Sequence, residues 1–465
     1  MEPPSPSQEQ AASPGEGSVS DIPGGAAPPL NAPCAEDLSD YAVRLFQEYL
    51  RIDTTNPPGS EFRAALFFKK VFDREGMENQ VFEYAPGRAN FYACLKGDGT
   101  RRPFILFNHS DVVPSDEACW STGPFSGEIR DGFIFGRGAV DMKSMAIVQL
   151  MAMLRLKRQG FPLKRDIIFL SVADEEGFSE GSAWMAKNKG GLLSGAEFLL
   201  DEVGYIHSRE MEGSSEEEVL YYEIATTEKS PLWLKLTARG TPGHASTPDR
   251  DGAPHRLVRA LGRVLDYRPP AVILPPMSRF FRDMMRADAD ELVKDPEKAA
   301  EVFNDPIYHA MTHNTITLTE LEGSKAINVI PGEASASLDC RLLPGEDRTR
   351  FVEKVKELAG DEHIDVTVLF SYEANASSPD SALVRAVERS AKKLDPAVIV
   401  TTTVSPYCDD SHFFRELGIE CYGFAPIQFT SEEMASAHGN DERMKVCKIA
   451  PATALMVDII EELNR

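Results

Sequence analysis

The sequence predicts an α/β protein: a mostly parallel sheet sandwiched between helices, interrupted by an antiparallel α+β insertion. Three observations carry this. Short apolar runs without polar alternation, such as FILFNH (104–109) and DIIFLSV (166–172), are separated by helical stretches, the pattern of parallel strands buried on both faces. From Lys229 onward, PLWLKLTARG and ASASLDCRL alternate apolar with polar residues, as half-exposed antiparallel strands do. A length of 465 residues exceeds what one hydrophobic core organises and favours two domains, one of them inserted in the other.

Residues 1–35 are rich in Pro, Gly, Ser and Ala, cannot build a core, and read as a disordered tail. They lack the basic start and apolar stretch of a signal peptide. From Glu36 the stretch EDLSDYAVRLFQEYLRI is amphipathic at helical spacing and stops at the loop DTTNPPG. A strand over 104–109, a long helix over Lys143–Gln159, and strands over 166–172 and 196–202 follow. The Met-rich helix is core packing against the sheet. The first domain therefore spans residues 36–228 and resumes over 373–465, with the helix SALVRAVERSAKKL, the strand ECYGFAP and a C-terminal helix after Pro451. Residues 229–372 form the insertion, including a long stretch from about Pro269 to Ala310.

A net charge of −24 repels nucleic acid and anionic membranes. No run approaches the ~18 apolar residues of a membrane span. Seven cysteines, odd in number and without close pairs, argue against a disulfide framework and fit a reducing, cytoplasmic setting. The acidic run Glu216–Glu218 reads as a solvated face.

Chemistry gathers where the apolar strands end. The first runs into His109, with Asp111 two residues on; the second into Asp174, Glu175 and Glu176; the third into Asp201. Ligands of parallel sheets collect at the carboxyl ends of the strands, so these groups share one crevice. Three adjacent acids there repel, and each loses solvation as the site closes, so either the stretch is open to water or a cation sits there. Asp141 in GRGAVDMK and His438 in SAHGNDER complete a nitrogen and oxygen donor set suited to zinc, cobalt or manganese.

NHSDVVP, GRGAVDMK, DEEG, LLDEVG, GTPGHAS, NVIPGEA, DCRLLPG and HGNDER occur in an order that resembles the di-zinc metallopeptidase family of aminoacylases, acetylornithine deacetylase, succinyl-diaminopimelate desuccinylase, glutamate carboxypeptidase and vacuolar carboxypeptidase S. The resemblance spans Glu36 to Arg465. It implies a phosphorylase/hydrolase-like zinc-peptidase fold with a ferredoxin-like lid and dimerisation domain. It implies two Zn2+ per subunit, or Co2+ or Mn2+, with His109 and Asp201 on one ion, Glu176 and His438 on the other, and Asp141 bridging. Glu175 falls on the general base and Asp111 on the acid that orients His109. His244 falls on a histidine that stabilises the oxyanion, often from a second subunit, and Asn328 and Arg341 on residues that hold a substrate carboxylate. A cis peptide after Asp141 is implied as well. The expected substrate is an N-acyl amino acid, or a peptide cut at its C-terminal residue, turned over by a homodimer joined through the lid.

Three competing readings stand beside this one. GFSEG (177–181) matches the nucleophile elbow of serine hydrolases and would make Ser179 the nucleophile, but the acids beside it oppose an oxyanion and the elbow leaves His109 and Asp141 without a role. A catalytically silent metal-binding scaffold would be marked by loss of Glu175, which is present. Arg341 has the alternative of a surface ion pair, and His412 reads as structural or as a support behind the site.

Overall fold

The computed structural model describes residues 38–210, 217–287, 292 and 294–465; the tail expected over 1–35 lies outside the described residues. The chain opens with α1 (Leu38–Leu50), which buries Leu45, Phe46, Tyr49 and Leu50 on one stripe, and α2 (Glu61–Arg74). Strands β1 (Glu78–Ala85) and β2 (Arg88–Leu95) form an antiparallel hairpin. After them come β3 (Phe104–His109), α3 (Lys143–Gln159), β4 (Ile167–Val172), α4 (Glu180–Leu193), β5 (Phe198–Asp201), β6 (Ile206–Glu210) and β7 (Glu217–Glu228).

Every residue of β3 and β4 is buried, because each strand feeds two cores. Phe104, Leu106, Ile167 and Phe169 pack with α1 and α3 on one face, while Ile105, Phe107, Ile168 and Leu170 pack with Met185 and Leu193 of α4 on the other. That two-sided burial is why these strands lack polar alternation. Each fully buried Leu, Ile or Phe contributes about 1.5–3 kcal/mol.

The next segment builds its own sheet from β8 (Ser230–Arg239), β9 (Thr315–Glu322), β10 (Glu333–Leu342) and β11 (Ile364–Ser371), in the order β9-β10-β8-β11, all antiparallel. Leu232, Leu234, Leu236, Leu338 and Leu342 form its core with α5 (Ala253–Asp266) and a helix over Arg348–Ala359. The alternate residues, among them Trp233, Asp339 and Arg341, are left on the uncovered face. Within this segment α6 (Pro275–Met285) behaves differently. Met277, Phe280 and Phe281 pack on Val404 of β12 (Val400–Ser405), and Arg279 Nη2 donates to the Val400 carbonyl at 3.0 Å. The stretch the sequence assigned to the insertion thus covers an edge of the main sheet.

The chain returns with α7 (Ala382–Leu394), β12, β13 (Glu420–Gly423), β14 (Gln428–Thr430) and α8 (Ile449–Leu463). The ten-stranded main sheet runs β1-β2-β4-β3-β5-β13-β7-β6-β14, with β12 beside β7; its centre, β4-β3-β5-β13, is parallel. That centre brings the carboxyl ends of β3, β4 and β5 to one edge. Glu217 departs from the expected solvated face: its carboxylate accepts from Lys445 at 2.8 Å and from Lys448 at 3.1 Å. Glu216 lies outside the described residues. No helix among the described residues is long and apolar enough to cross a membrane.

Candidate metal centre

His109 is the last residue of β3 and is buried. Its Nδ1 lies 3.1 Å from the Asp111 carbonyl oxygen and 3.5 Å from Asp111 Oδ1, so Nδ1 carries a proton toward Asp111 and Nε2 is turned to the crevice. Nε2 faces Asp141 Oδ1 at 3.1 Å and Glu202 Oε1 at 3.5 Å. On the far side, His438 Nε2 faces Asp141 Oδ2 at 3.1 Å and Glu176 Oε1 at 3.0 Å. The two oxygens of Asp141 therefore address two different imidazoles. Donor atoms of His109, Asp141 and Glu176 lie within 4.8 Å of one another, as do those of His109, Glu175 and Glu202.

The structure puts Glu202, not the neighbouring Asp201, in this cluster. Asp201 is turned aside: Ser411 Oγ donates to its Oδ2 at 2.7 Å, and the Glu202 amide donates to its Oδ1 at 2.8 Å. A tight contact seats Glu202. A Cβ at Gly423 would come within 2.1 Å of the Glu202 carbonyl and 2.0 Å of the Val203 carbonyl, so only glycine fits there.

Asp111 and Asp174 organise the loop that carries Glu175. Asp111 accepts from the backbone amides of Glu175 and Glu176 at 3.1 and 3.0 Å. Asn56 Nδ2 donates to Asp111 Oδ2 at 2.9 Å and to Asp174 Oδ1 at 2.8 Å. Asp174, with φ of 71°, caps the loop by accepting from the amides of Phe178 and Glu180, and it pairs with Arg88 at 2.7 Å. Arg88 also forks onto the buried Glu61 at 2.7 and 2.9 Å. The three adjacent acids therefore divide: Asp174 is structural, while Glu175 and Glu176 face the crevice.

Glu442 does the corresponding work for Asp141. Fully buried, it accepts from the amides of Gly138, Val140 and Asp141 at 3.0, 2.8 and 3.1 Å and from Arg137 Nη1 at 2.8 Å. The Asp141–Met142 peptide is cis, as the resemblance implied. Neither Asn56 nor Glu442 was singled out from the sequence, although Glu442 lies within the quoted HGNDER; nothing in a lone buried acid signals three backbone amides converging on it. Glu442→Ala leaves Arg137 buried without its partner and lowers stability by about 3–5 kcal/mol, read as a fall in the urea midpoint. An unchanged midpoint would show that the Asp141 loop holds itself.

The electrostatics call for a cation. Burial, then the charge on Asp141, pushes Glu202 up to about 8. Burial, together with Glu202, Asp410 and Glu176, pushes Glu175 well above the carboxylate range. Burial opposes charge on His109, but Glu202, Asp111 and Asp141 outweigh it and raise its pKa. Hydrogen bonds to Asp141 and Glu176 raise His438 to about 10. Asp141 is the exception: despite burial, it is held below the carboxylate range by its hydrogen bonds to the two imidazoles, while burial and mutual repulsion push Glu175, Glu176 and Glu202 up, a repulsion that divalent cations would relieve. The donors are all nitrogen or oxygen, with no cysteine among them.

Other expected residues stand elsewhere. His244 and Asn328 are exposed together on a short ribbon, where His244 pairs in register with Val329 and the Ala245 amide donates to the Asn328 carbonyl at 3.1 Å. Among the described contacts neither touches the cluster. Arg341 forks onto Asp339 at 2.8 and 3.1 Å and approaches Cys408 Sγ at 2.7 Å through Nη1. Five N–H bonds less those three leave one on each terminal nitrogen, a pair that can still grip a carboxylate. His412 is buried and stacked on Tyr372 at 3.6 Å, a structural place. Ser179 sits at the N-terminus of α4, and the His438 imidazole faces Asp141 and Glu176, so no serine–histidine pair forms among the described contacts.

Comparison with known proteins gives a consistent picture. Residues 105–462 match the family model of peptidase family M20/M25/M40. The chain is 29% identical to aminoacylase-1 of Sus scrofa over 409 residues, covering 87% of this chain and 90% of that protein. It is 27% identical to the human N-fatty-acyl-amino acid synthase/hydrolase PM20D1, over 85% of this chain and 80% of that one. Its fold is similar to that of the M20 family metallo-carboxypeptidase Sso-CP2 from Sulfolobus solfataricus, with a TM-score of 0.68 and 20% identity, over 92% of this chain and 100% of the other.

Proposed function

Since the chain belongs to peptidase family M20/M25/M40 and is a metal-dependent hydrolase of amide bonds, we propose that it cleaves the amide next to a free α-carboxylate, as an N-acyl-amino-acid deacylase or a carboxypeptidase or dipeptidase. In this reading His109 and Glu202 on one side and Glu176 and His438 on the other, with the carboxylate of Asp141 between them, would hold two zinc ions. The observation that carries it is the division of the Asp141 carboxylate between two imidazoles, 3.1 Å to each.

Divalent ions held there supply Lewis acidity that makes water nucleophilic near neutral pH. Glu175 takes the proton of the attacking water and delivers it to the leaving nitrogen. Asp111 fixes both His109 and the amides of Glu175 and Glu176, so the base and one imidazole move as a unit. Arg341 offers its two remaining N–H bonds to the substrate carboxylate.

His244 and Asn328 serve a second copy in this proposal. Their ribbon borders the exposed apolar residues Val258, Leu321, Ile327 and Val329, a surface suited to a homodimer joined through the segment 229–372 acting as a lid. That segment divides the remaining chain into a catalytic unit, residues 36–228 and 373–465. The unpaired cysteines among the described residues fit a cytoplasmic setting.

The test is a panel of N-acetyl amino acids, dipeptides and their carboxyl-amidated forms on zinc-loaded protein. Free-carboxylate substrates should be hydrolysed, amidated ones should not, and a chelator should abolish the activity. Equal turnover of amidated substrates would remove Arg341 from its role, and inhibition by a fluorophosphonate but not by a chelator would favour Ser179.

A further inference from the structure

The uncovered face of the second sheet carries more than Arg341. Register sets Pro231 opposite Arg341 and Trp233 opposite Asp339 across β8 and β10, and Trp233 opposite Phe370 across β8 and β11. Neighbouring strands lie about 4.8 Å apart, so the guanidinium and these two rings share one small area. The rings continue as a ladder. Trp233 and Phe370 are 5.1 Å apart, Phe370 meets Tyr372 edge-on at 6.0 Å, and Tyr372 stacks on His412 at 3.6 Å with planes 5° apart.

Both Arg341 and the ladder end on one segment beside the metal centre. Arg341 reaches Cys408, His412 Nδ1 lies 3.0 Å from the Asp409 carbonyl oxygen, and Ser411 donates to Asp201, the neighbour of Glu202. The ladder is not sealed: Phe370 is 37% exposed, and Trp233 and Tyr372 are half-buried. Exposed apolar side chains beside a polar anchor mark a ligand surface.

Resting on the reading that Arg341 holds the substrate's α-carboxylate, we propose that the side chain of the released amino acid lies on Trp233, Phe370 and Tyr372. The substrate class is then N-acylated aromatic or long apolar amino acids, or peptides ending in one. The geometry of the substrate selects the side chain over the acyl group. Side chain and carboxylate branch from the same Cα, whereas the acyl group lies across the scissile bond from both. Asp339 is taken up by Arg341, and the aromatic surface offers an acidic side chain no partner, so N-acyl glutamate and aspartate are disfavoured.

The experiment compares kcat/KM for N-acetyl-phenylalanine, N-acetyl-alanine and N-acetyl-glutamate on the metal-loaded full chain, in the natural sequence and in Phe370→Ala and Phe370→Tyr. The natural sequence should prefer phenylalanine over alanine by about tenfold or more and disfavour glutamate. Phe370→Ala should collapse the phenylalanine-to-alanine ratio by about tenfold, and Phe370→Tyr should retain it. Turnover of alanine and phenylalanine at equal efficiency, or a ratio unmoved by Phe370→Ala, overturns this inference while the deacylase reading stands. Failure of all three substrates, and of dipeptides ending in phenylalanine, removes the amide-hydrolase reading and this inference with it.

Discussion

Glu175→Gln lowers kcat by about a thousandfold while the metal content of the protein stays that of the natural sequence. The substitution keeps the size and the backbone contacts of the side chain, including the amide that donates to Asp111 at 3.1 Å. It removes the carboxylate proposed to accept the proton of water and pass it to the leaving nitrogen. Glu176, next in the chain, faces His438 at 3.0 Å and has a different task, so it does not substitute for the lost base. Steady-state kinetics on an N-acetyl amino acid together with elemental analysis separates the outcomes. Loss of activity and of metal together would move Glu175 from base to ligand; retained activity would return the chemistry to another residue.

Glu202→Ala weakens metal binding by about a hundredfold or more, whereas Asp201→Asn keeps the metal. Adjacent acids make this a sharp comparison. Glu202 stands 3.5 Å from His109 Nε2 and completes the group on that side, while Asp201 is occupied by Ser411 at 2.7 Å. Asparagine at 201 still offers an oxygen to the Glu202 amide, so it leaves the neighbouring backbone in place. Titration of the apoprotein with zinc, followed calorimetrically, reads both variants. The reverse order of affinities would hand the ligand role back to Asp201.

Much of the frame could be read from residue patterns because burial on both faces leaves a visible mark. The strand expected at 104–109 and the helix at 143–159 have those bounds in the structure, since a run of unbroken apolar residues has few other places to go. The elements that escaped are those whose composition misleads. The strand VTTTVS is buried throughout, yet its three threonines are polar; it is covered by α6, a helix the sequence placed in the inserted segment. The acidic start of β7 resembled a solvated face, but Lys445 and Lys448 arrive from more than two hundred residues away to pair with Glu217.

The order of motifs along the chain determined the family, the chemical nature of the centre, and most of the side chains that meet there: His109, Asp141, Glu175, Glu176 and His438. It pointed to Asp201, whereas the fold brings Glu202 to His109, because neighbours in sequence differ in which way the backbone turns them. That choice was made by partners distant in the chain, Ser411 drawing one carboxylate aside and Gly423 admitting the backbone of the other. For the same reason the occupied fork of Arg341 and the buried grip of Glu442 belong to the tertiary structure alone: each is a hydrogen-bond geometry, and geometry between distant segments exists only once the chain has folded.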